Sequence, residues 1–321
     1  MKIRGTMRSL RSDAGEHCGL IATTGTGFHV CCVLTLLGLI SACAPTVPRE
    51  QLQRVSTAYD AVTMASGNLL TELSVAERRN FIEDLPDNRS LREQNLVVPL
   101  QFNAKDAGYY GTMGDPVLTA SLRRGLRVTG GYFKLLTILA EGQGIDQAQA
   151  QISALASSVG AIAALGTGGA AAPIVGVVVS GLQPLVRRWA EAKDVAELRR
   201  LVLEGAPKVD ELLEQLQASS NSIYRTLISQ PSNAAEGPLR TDKAARRAVL
   251  LTMSVDVAMV ANFVNLVTAL REALAALVSA VREPGSGVTL EALSASSNEL
   301  LVQAQTAVRS VEIIRASGGM Q

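Results

Sequence analysis

The residues best suited to catalysis or metal binding are crowded into the first 43 positions of the chain. The sequence has two histidines and four cysteines, and all six precede residue 44. They are His17, Cys18, His29, Cys31, Cys32 and Cys43. Imidazole and thiolate groups act as general bases, nucleophiles and zinc ligands. The chemistry open to the protein therefore depends on whether these first residues remain in the mature chain.

Residues 1–43 have the layout of an export signal. A leader with four basic residues precedes an uncharged run at 28–39, and Ile40-Ser41-Ala42-Cys43 follows directly. The run is too short for a comfortable membrane span and ends at small residues, as in a signal peptide. This arrangement resembles the lipobox of bacterial lipoproteins, in which a large aliphatic residue and two small ones precede an acylated cysteine. An ordinary signal peptide followed by a chance cysteine, or an uncleaved anchor, is the alternative.

The resemblance covers only residues 1–43, and it implies where the protein lives. It implies cleavage after Ala42, a diacylglycerol on the Cys43 sulfur and a further acyl chain on the freed amine. Two or more acyl chains anchor a soluble domain stably, where one does not. Because Ala44 rather than Asp follows the cysteine, the resemblance also implies the outer membrane, facing the periplasm. We therefore expect a signal peptide at 1–42, a lipidated tether at 43–48 and one helical domain at 49–321.

Cleavage after Ala42 would leave a mature chain without histidine and without a free thiol. That excludes histidine acid/base catalysis, a cysteine nucleophile, a Ser-His-Asp triad, disulfides and imidazole or thiolate metal sites. Carboxylate, lysine, tyrosine and hydroxyl groups remain, but no pair of carboxylates has a spacing that indicates catalysis. The sequence therefore predicts a protein that is not an enzyme and has no cofactor besides the lipid on Cys43.

The charge of the mature chain argues against binding to nucleic acid. Removing residues 1–42 leaves 26 of the 30 basic residues and 27 of the 29 acidic ones. The basic residues are scattered among acidic ones without interleaved aromatic side chains, which is typical of a solvated helix surface. The expected partners are the membrane, through the lipid, and a protein of the cell envelope.

Helical periodicity dominates the rest of the sequence. It predicts an elongated all-α bundle of about six to seven helices around a central apolar, Gly/Ala-rich hairpin. A first helix is expected at 49–73, and Ser74 with Glu77 indicates the start of a second through a capping box. Asp115-Pro116 predicts the N-cap and first residue of another helix. Further on, the sequence predicts a helix at 173–204 that stops at Gly205-Ala206-Pro207.

Two long helices are predicted at the carboxyl end. The first, at 241–284, has a heptad-like apolar seam with Asp256 as its one charged member, and the second, at 289–316, repeats the pattern more weakly. Gly285-Ser286-Gly287 is long enough to fold them antiparallel. The pattern also suits association between chains, so the oligomeric state stays open.

The uncharged run 147–186 is the first of three features that could carry function. Its Gly-rich turn at 165–169 predicts a helical hairpin, with Gly160 and Ala164, and Gly176 and Ser180, spaced for close helix contact. This hairpin is either the buried core of the bundle or a membrane-inserting element, a layout similar to that of α-helical pore-forming toxins. Each half has about 13 residues, or about 20 Å of helix, which is short of the roughly 30 Å hydrocarbon core.

The other two features are a buried charge and an aromatic loop. Burial of Asp256 without a partner would cost several kcal/mol, so we expect it to fix helix register through a partner on another helix, with a ligand, ion or switch as the alternative. The loop at 102–113 combines aromatic residues and Met with glycines, which indicates either a contact surface or a flap over the end of the bundle. Its candidate contact residues are Phe102, Tyr109, Tyr110 and Met113.

Overall fold

The computed structural model describes residues 47–83, 107–111, 114–166, 169–235 and 242–319. These residues are almost entirely helical and include no strand, which confirms the predicted all-α bundle. Eight of their helices have eight residues or more, close to the six to seven predicted. In chain order the elements are α1 (Arg49–Glu83), α2 (Ala107–Tyr110), α3 (Val117–Ala140), α4 (Ile145–Ala163), a 3₁₀ turn (Gly169–Ala171), α5 (Ala172–Val177), a π turn (Val178–Leu182), α6 (Gln183–Ala190), α7 (Val195–Ala218), α8 (Ser220–Ala235), α9 (Lys243–Arg282) and α10 (Gly287–Gly319).

Helix α3 lies at the centre of the bundle. Sixteen of its 24 residues are buried, because α1, α4, α7 and α9 all pack against it. Three glycines let neighbouring side chains approach its backbone, since a Cβ at any of them would press into the facing residue. The three contacts are Gly125 with Leu216 of α7, Gly130 with Tyr59 of α1, and Gly131 with Leu155 of α4.

The directions of the helices follow from a few long-range contacts. Arg49 at the start of α1 lies 4.0 Å from Glu141, just after the end of α3. Arg124, near the start of α3, donates to the carbonyl of Ala161 at the end of α4. The turn of the apolar hairpin therefore lies at the far end of the bundle, roughly 25 Å along the helices from Arg49.

Helices α9 and α10 form the antiparallel pair that the sequence predicts. The amide of Ser286 donates to the Glu283 carbonyl at 3.1 Å, and the Thr289 hydroxyl donates to the same carbonyl at 3.1 Å, which closes the turn. The seam of α9 is buried from Asp256 to Val281, while Val249 and Met253 are half-buried. Helix α10 packs against both α9 and α1.

The predicted helix start at Ser74 is wrong. Helix α1 continues without a break from Arg49 to Glu83, and Ser74 is buried within it. A capping box needs free backbone amides at a helix start, and the interior of α1 has none. Glu77 is used elsewhere, at the start of α3.

The prediction of one helix at 173–204 that stops at 205–207 is also wrong, both in its continuity and in its end. A break falls at 191–194, where Asp194 caps α7 by accepting the Glu197 amide at 2.8 Å. Helix α7 then runs through the expected stop at 205–207, with Pro207 inside it. Helix α8 continues through Pro231 as far as Ala235.

Gly205 is a packing position rather than a helix stop. The indole of Trp189 lies against it, and a Cβ at Gly205 would come 2.5 Å from the ring. Trp189 is fully buried and donates to the Leu201 carbonyl at 3.0 Å, so it cannot move aside without breaking that bond. Glycine at 205 thus sets the spacing between α6 and α7.

Replacing Gly205 with alanine tests this packing. We expect Gly205→Ala to lower the free energy of unfolding by roughly 1–3 kcal/mol, because the methyl group overpacks the Trp189 site. Gly160→Ala is the matched control: it is helical with no atom within 4 Å of the new methyl group, so it should gain up to about 1 kcal/mol from helix propensity. Urea unfolding of the mature chain measures both, and equal effects would contradict the assignment.

Candidate functional site

The carboxylate of Glu77 in α1 caps the start of α3. Its oxygens accept the amides of Leu118 at 2.9 Å and Thr119 at 3.0 Å, and the Thr119 hydroxyl at 3.0 Å. The first amides of a helix have no partner inside the helix, so α3, buried at this end, depends on a cap from outside. The carboxylate also suits the positive end of the helix dipole.

Asp115 was the predicted cap of α3, and this prediction is wrong. Pro116 occupies the N-cap position, and no side chain of that residue caps the helix. The Asp115 carboxylate instead forms an ion pair at 2.7 Å with Arg123, about two turns further along α3. The cap comes from a residue 41 positions earlier in the chain, which no local motif reports.

Burial raises the pKa of Glu77 above its ordinary value, and the hydrogen bonds from Thr119, Leu118 and Tyr109 oppose that rise. The Glu77 side chain is therefore a desolvated carboxylate whose negative charge is stabilised by hydrogen-bond donors. Such groups occur at catalytic sites and at structural nodes alike. Here the donors include two backbone amides of a helix start, which is a structural arrangement.

The described part of the aromatic loop folds down on the last turns of α1. The rings of Tyr109 and Phe81 stack with centroids 4.2 Å apart, and Tyr110 meets Phe81 edge-on at 5.5 Å. Arg78 donates to the carbonyls of Gly108 and Gly114 on either side of this turn. Tyr109 therefore belongs to a lid over the bundle, while Tyr110 keeps 43% of its surface exposed. Phe102 and Met113 lie outside the described residues.

An open concave surface, which we call the Tyr59 groove, lies at the other end of the bundle. Helices α1 and α4 form its walls and α3 its floor, around a volume of about 1260 Å³. Its rim carries two basic and two acidic side chains together with several glutamines. The lining residues that carry polar groups include Arg49, Gln53, Asp60, Lys134, Glu141, Gln143, Gln147 and Gln151.

Tyr59 joins one wall of this groove, α1, to its floor, α3. Its hydroxyl donates to the Leu126 carbonyl, and its ring stacks on Phe133 at 5.7 Å. Burial raises the pKa of Tyr59 to about 12, so the phenol is a neutral donor throughout the physiological range. The groove can hold an uncharged or mixed-charge segment through hydrogen bonds, and its polar rim does not favour one sign of charge.

The apolar hairpin is packed along one side only. Ile152, Leu155 and Val159 of α4 are buried, as are Ile174 and Val178 across the turn. The outer side is uncharged and rich in Ala, Ser and Gly, and a Cβ at Gly160 or Gly176 would meet open space, so neither glycine serves the predicted close helix contact.

The predicted length of the hairpin arms is too short. The stretch Gly169–Ala190 is 22 residues long, and both it and Val249–Arg282 could cross a membrane by length and composition. Only 33% and 28% of their most apolar windows are buried. The π turn at Val178–Leu182 keeps the first stretch continuous, because Gln183 donates to Val178 five residues back where Pro184 has no amide to donate.

Asp256 is 9% exposed and sits in the buried seam of α9, as the heptad pattern indicates. Its role in fixing helix register stays a prediction. Cys43 lies outside the described residues.

Sequence reasoning missed the groove, the contact of Tyr59 with α3 and the Glu77 cap at the other end of the bundle. The Gly130-Gly131 pair inside a strongly apolar helix was the one available signal, because paired glycines in a helix mark close contacts on two faces. Nothing in the sequence around Tyr59 or Glu77 names the distant backbone groups they bind.

The chain matches no protein-family model, no curated protein and no solved structure at a significant level. Within the described ranges, no group of three or more His, Cys, Asp or Glu side chains is arranged to hold a metal ion.

The pH dependence of stability tests the burial of the Glu77 carboxyl group. Because burial raises its pKa, the folded chain binds a proton at Glu77 more readily than the unfolded chain does. The free energy of unfolding of the wild type, measured relative to Glu77→Gln, is therefore highest below the ordinary pKa of 4.5. It declines as the pH rises through the raised pKa that Glu77 has in the folded chain. Urea unfolding of both proteins at about pH 4, 5.5 and 7 measures this difference.

Glu211→Gln is the control for that series. Glu211 is half-buried, with its side chain 41% exposed, and it pairs with Lys208 at 2.7 Å. An ion pair of this kind contributes roughly 0–1 kcal/mol, so Glu211→Gln should change the free energy of unfolding only slightly. A flat or reversed slope for Glu77→Gln would show that Glu77 is not desolvated.

Proposed function

We propose that this protein is a lipid-anchored lipoprotein of the bacterial cell envelope and that its helical bundle is a non-enzymatic binding or structural module. Cys43 carries the anchor, and the outer membrane, facing the periplasm, is the proposed location. The observation that carries the proposal is the position of Cys43 directly before the folded core. Val47 is already a core residue with 2% exposure, and α1 begins at Arg49.

Such a short link supports an anchor that holds the bundle by one defined end. Four residue steps span about 14 Å at most between Cys43 and Val47. The N-terminal end of α1 would therefore stand close to the bilayer, with the Tyr59 groove opening beside it. A groove with balanced charge and several amide side chains suits a protein segment from the envelope, which is the partner we propose.

A membrane-active protein that inserts the hairpin at 147–186 is the second candidate. The length and apolar character of Gly169–Ala190 favour it. The position of the hairpin turn argues against it, because the turn lies roughly 25 Å from the end that the anchor would hold. An anchored bundle would point the hairpin away from its own membrane, so we place this candidate second.

Metabolic labelling tests the anchor. The full chain, produced with its own leader in a bacterium with two membranes, should incorporate a labelled fatty acid and fractionate with the outer membrane. Cys43→Ala should abolish labelling, whereas Cys32→Ala should keep it, because Cys32 would leave with the signal peptide. Labelling that persists in Cys43→Ala, or its absence from the wild type, would refute the lipoprotein assignment.

Dye release from lipid vesicles separates the two candidates. The mature chain, residues 43–321 with Cys43→Ser, should leave vesicles intact, because the apolar side chains of the hairpin pack into the bundle. Leakage would support the second candidate if Val179→Glu, which charges the exposed side of the hairpin, abolished it. Val257→Glu on α9 is the matched control, since both valines are exposed, at 39% and 47%.

A further inference from the structure

Exposed apolar side chains concentrate on one face of the bundle. Ten large apolar residues are exposed in the described part of the chain, and six of them lie on α1 and α10. Scattered exposed apolar residues are ordinary, so what matters is whether these six side chains share one surface. The six are Met64, Val75 and Ile82 on α1 and Val288, Val302 and Ile313 on α10, and we call them the α1/α10 face.

The spacing of these residues places them in one stripe on each helix. Along α1 they are 11 and 7 residues apart, and along α10 they are 14 and 11 apart. At 100° per residue each of these steps returns to within about 40° of the same direction. The buried residues of α1 and α10, such as Val62 and Leu300, lie on the opposite side. Both stripes therefore point away from the core.

The two stripes run side by side and in the same direction. Arg54 donates to the Ser294 hydroxyl at 3.2 Å, and further along Ser66 and Ala307 line the same small cavity. The numbers in each pair differ by 240 or 241, so α10 runs parallel to α1 at a fixed offset. Met64 is consequently level with Val302, within about one turn, and Val75 is level with Ile313.

We infer that a second copy of this chain docks on the α1/α10 face, with the two helix pairs parallel. A two-fold axis along the bundle places α1 of one copy opposite α10 of the other. Met64 then faces Val302 of the partner subunit, and Val75 faces Ile313 of the partner subunit, at matching heights. The parallel direction rests on the lipid anchor proposed above, because it puts both copies of Cys43 at the same end of the dimer.

The size of the face suits a dimer. From Val288 to Ile313 it extends about 37 Å at 1.5 Å per residue, and two neighbouring helices are about 20 Å wide. These dimensions give roughly 750 Å² per copy, close to the about 800 Å² per partner of a standard stable interface. In such an isologous pair, two of the three apolar positions on each helix meet a counterpart at the same height, while Val288 and Ile82 lie beyond them at opposite ends of the face.

Sedimentation of the mature chain with Cys43→Ser tests the docking without the lipid. We expect a dimer at micromolar concentration and a dissociation constant raised at least about 100-fold by Met64→Glu with Val302→Glu. Leu250→Glu with Val257→Glu is the matched control on exposed positions of α9 and should leave the dimer intact. A wild-type monomer at about 100 µM, with a normal unfolding transition, would overturn the inference.

Cysteine cross-linking tests the direction of pairing. Met64→Cys with Val302→Cys should give an oxidised dimer, whereas Met64→Cys with Val288→Cys should not, because those positions differ by about 20 Å in height. A bond within one copy is excluded, since both side chains point outward from helices about 9 Å apart, beyond the Cα distance a disulfide spans. Cross-linking through Met64→Cys with Val75→Cys instead would indicate antiparallel pairing and overturn the parallel arrangement. Neither result alters the fatty-acid labelling at Cys43, so the two proposals fail separately.

Discussion

Helix α3 is buried on most of its surface, so the other helices must pack closely against it and supply hydrogen-bond partners for its first amides. Its backbone can be approached closely only at Gly125, Gly130 and Gly131, and each of these admits a different neighbouring helix. Its first amides lie too deep for full solvation, so Glu77 reaches across from α1 to accept two of them. The positions of α1, α4 and α7 all follow from this one buried helix, because close packing leaves few alternatives to a given side-chain fit.

The same constraint separates the two ends of the molecule. At one end Arg78 and Phe81 of α1 lie against the short helix α2, and Tyr109, one of the four candidate contact residues, stacks on Phe81 there. At the other end α1 and α4 diverge over α3 and leave the Tyr59 groove open. The end with the open groove is also the end that Cys43 would tether, so the proposed anchor and the proposed contact surface belong together.

The fold class and the long helices could be predicted because burial repeats along a helix with its own period. The seam of α9 is buried from Asp256 to Val281, where the heptad pattern places it. The boundaries at Ser74, Asp115 and Gly205 could not be predicted. At each residue the local sequence pattern indicates a helix end, whereas the folded bundle uses the residue for a packing or ion-pair contact. Ser74 looks like a cap and is buried inside a helix, Asp115 looks like a cap and pairs with Arg123, and Gly205 looks like a stop and makes room for Trp189.

The sequence by itself determined the all-α class, the antiparallel pair α9 and α10, and the restricted chemistry of every residue beyond Cys43, since these depend on residue type and local spacing. Only the tertiary structure decided which carboxylate caps α3, which glycines are contact points, where a groove opens and which apolar residues remain outside. Those properties depend on residues that are 16 to 240 positions apart in the chain. Local periodicity carries no record of such partners, because many packings are compatible with the same amphipathic helices.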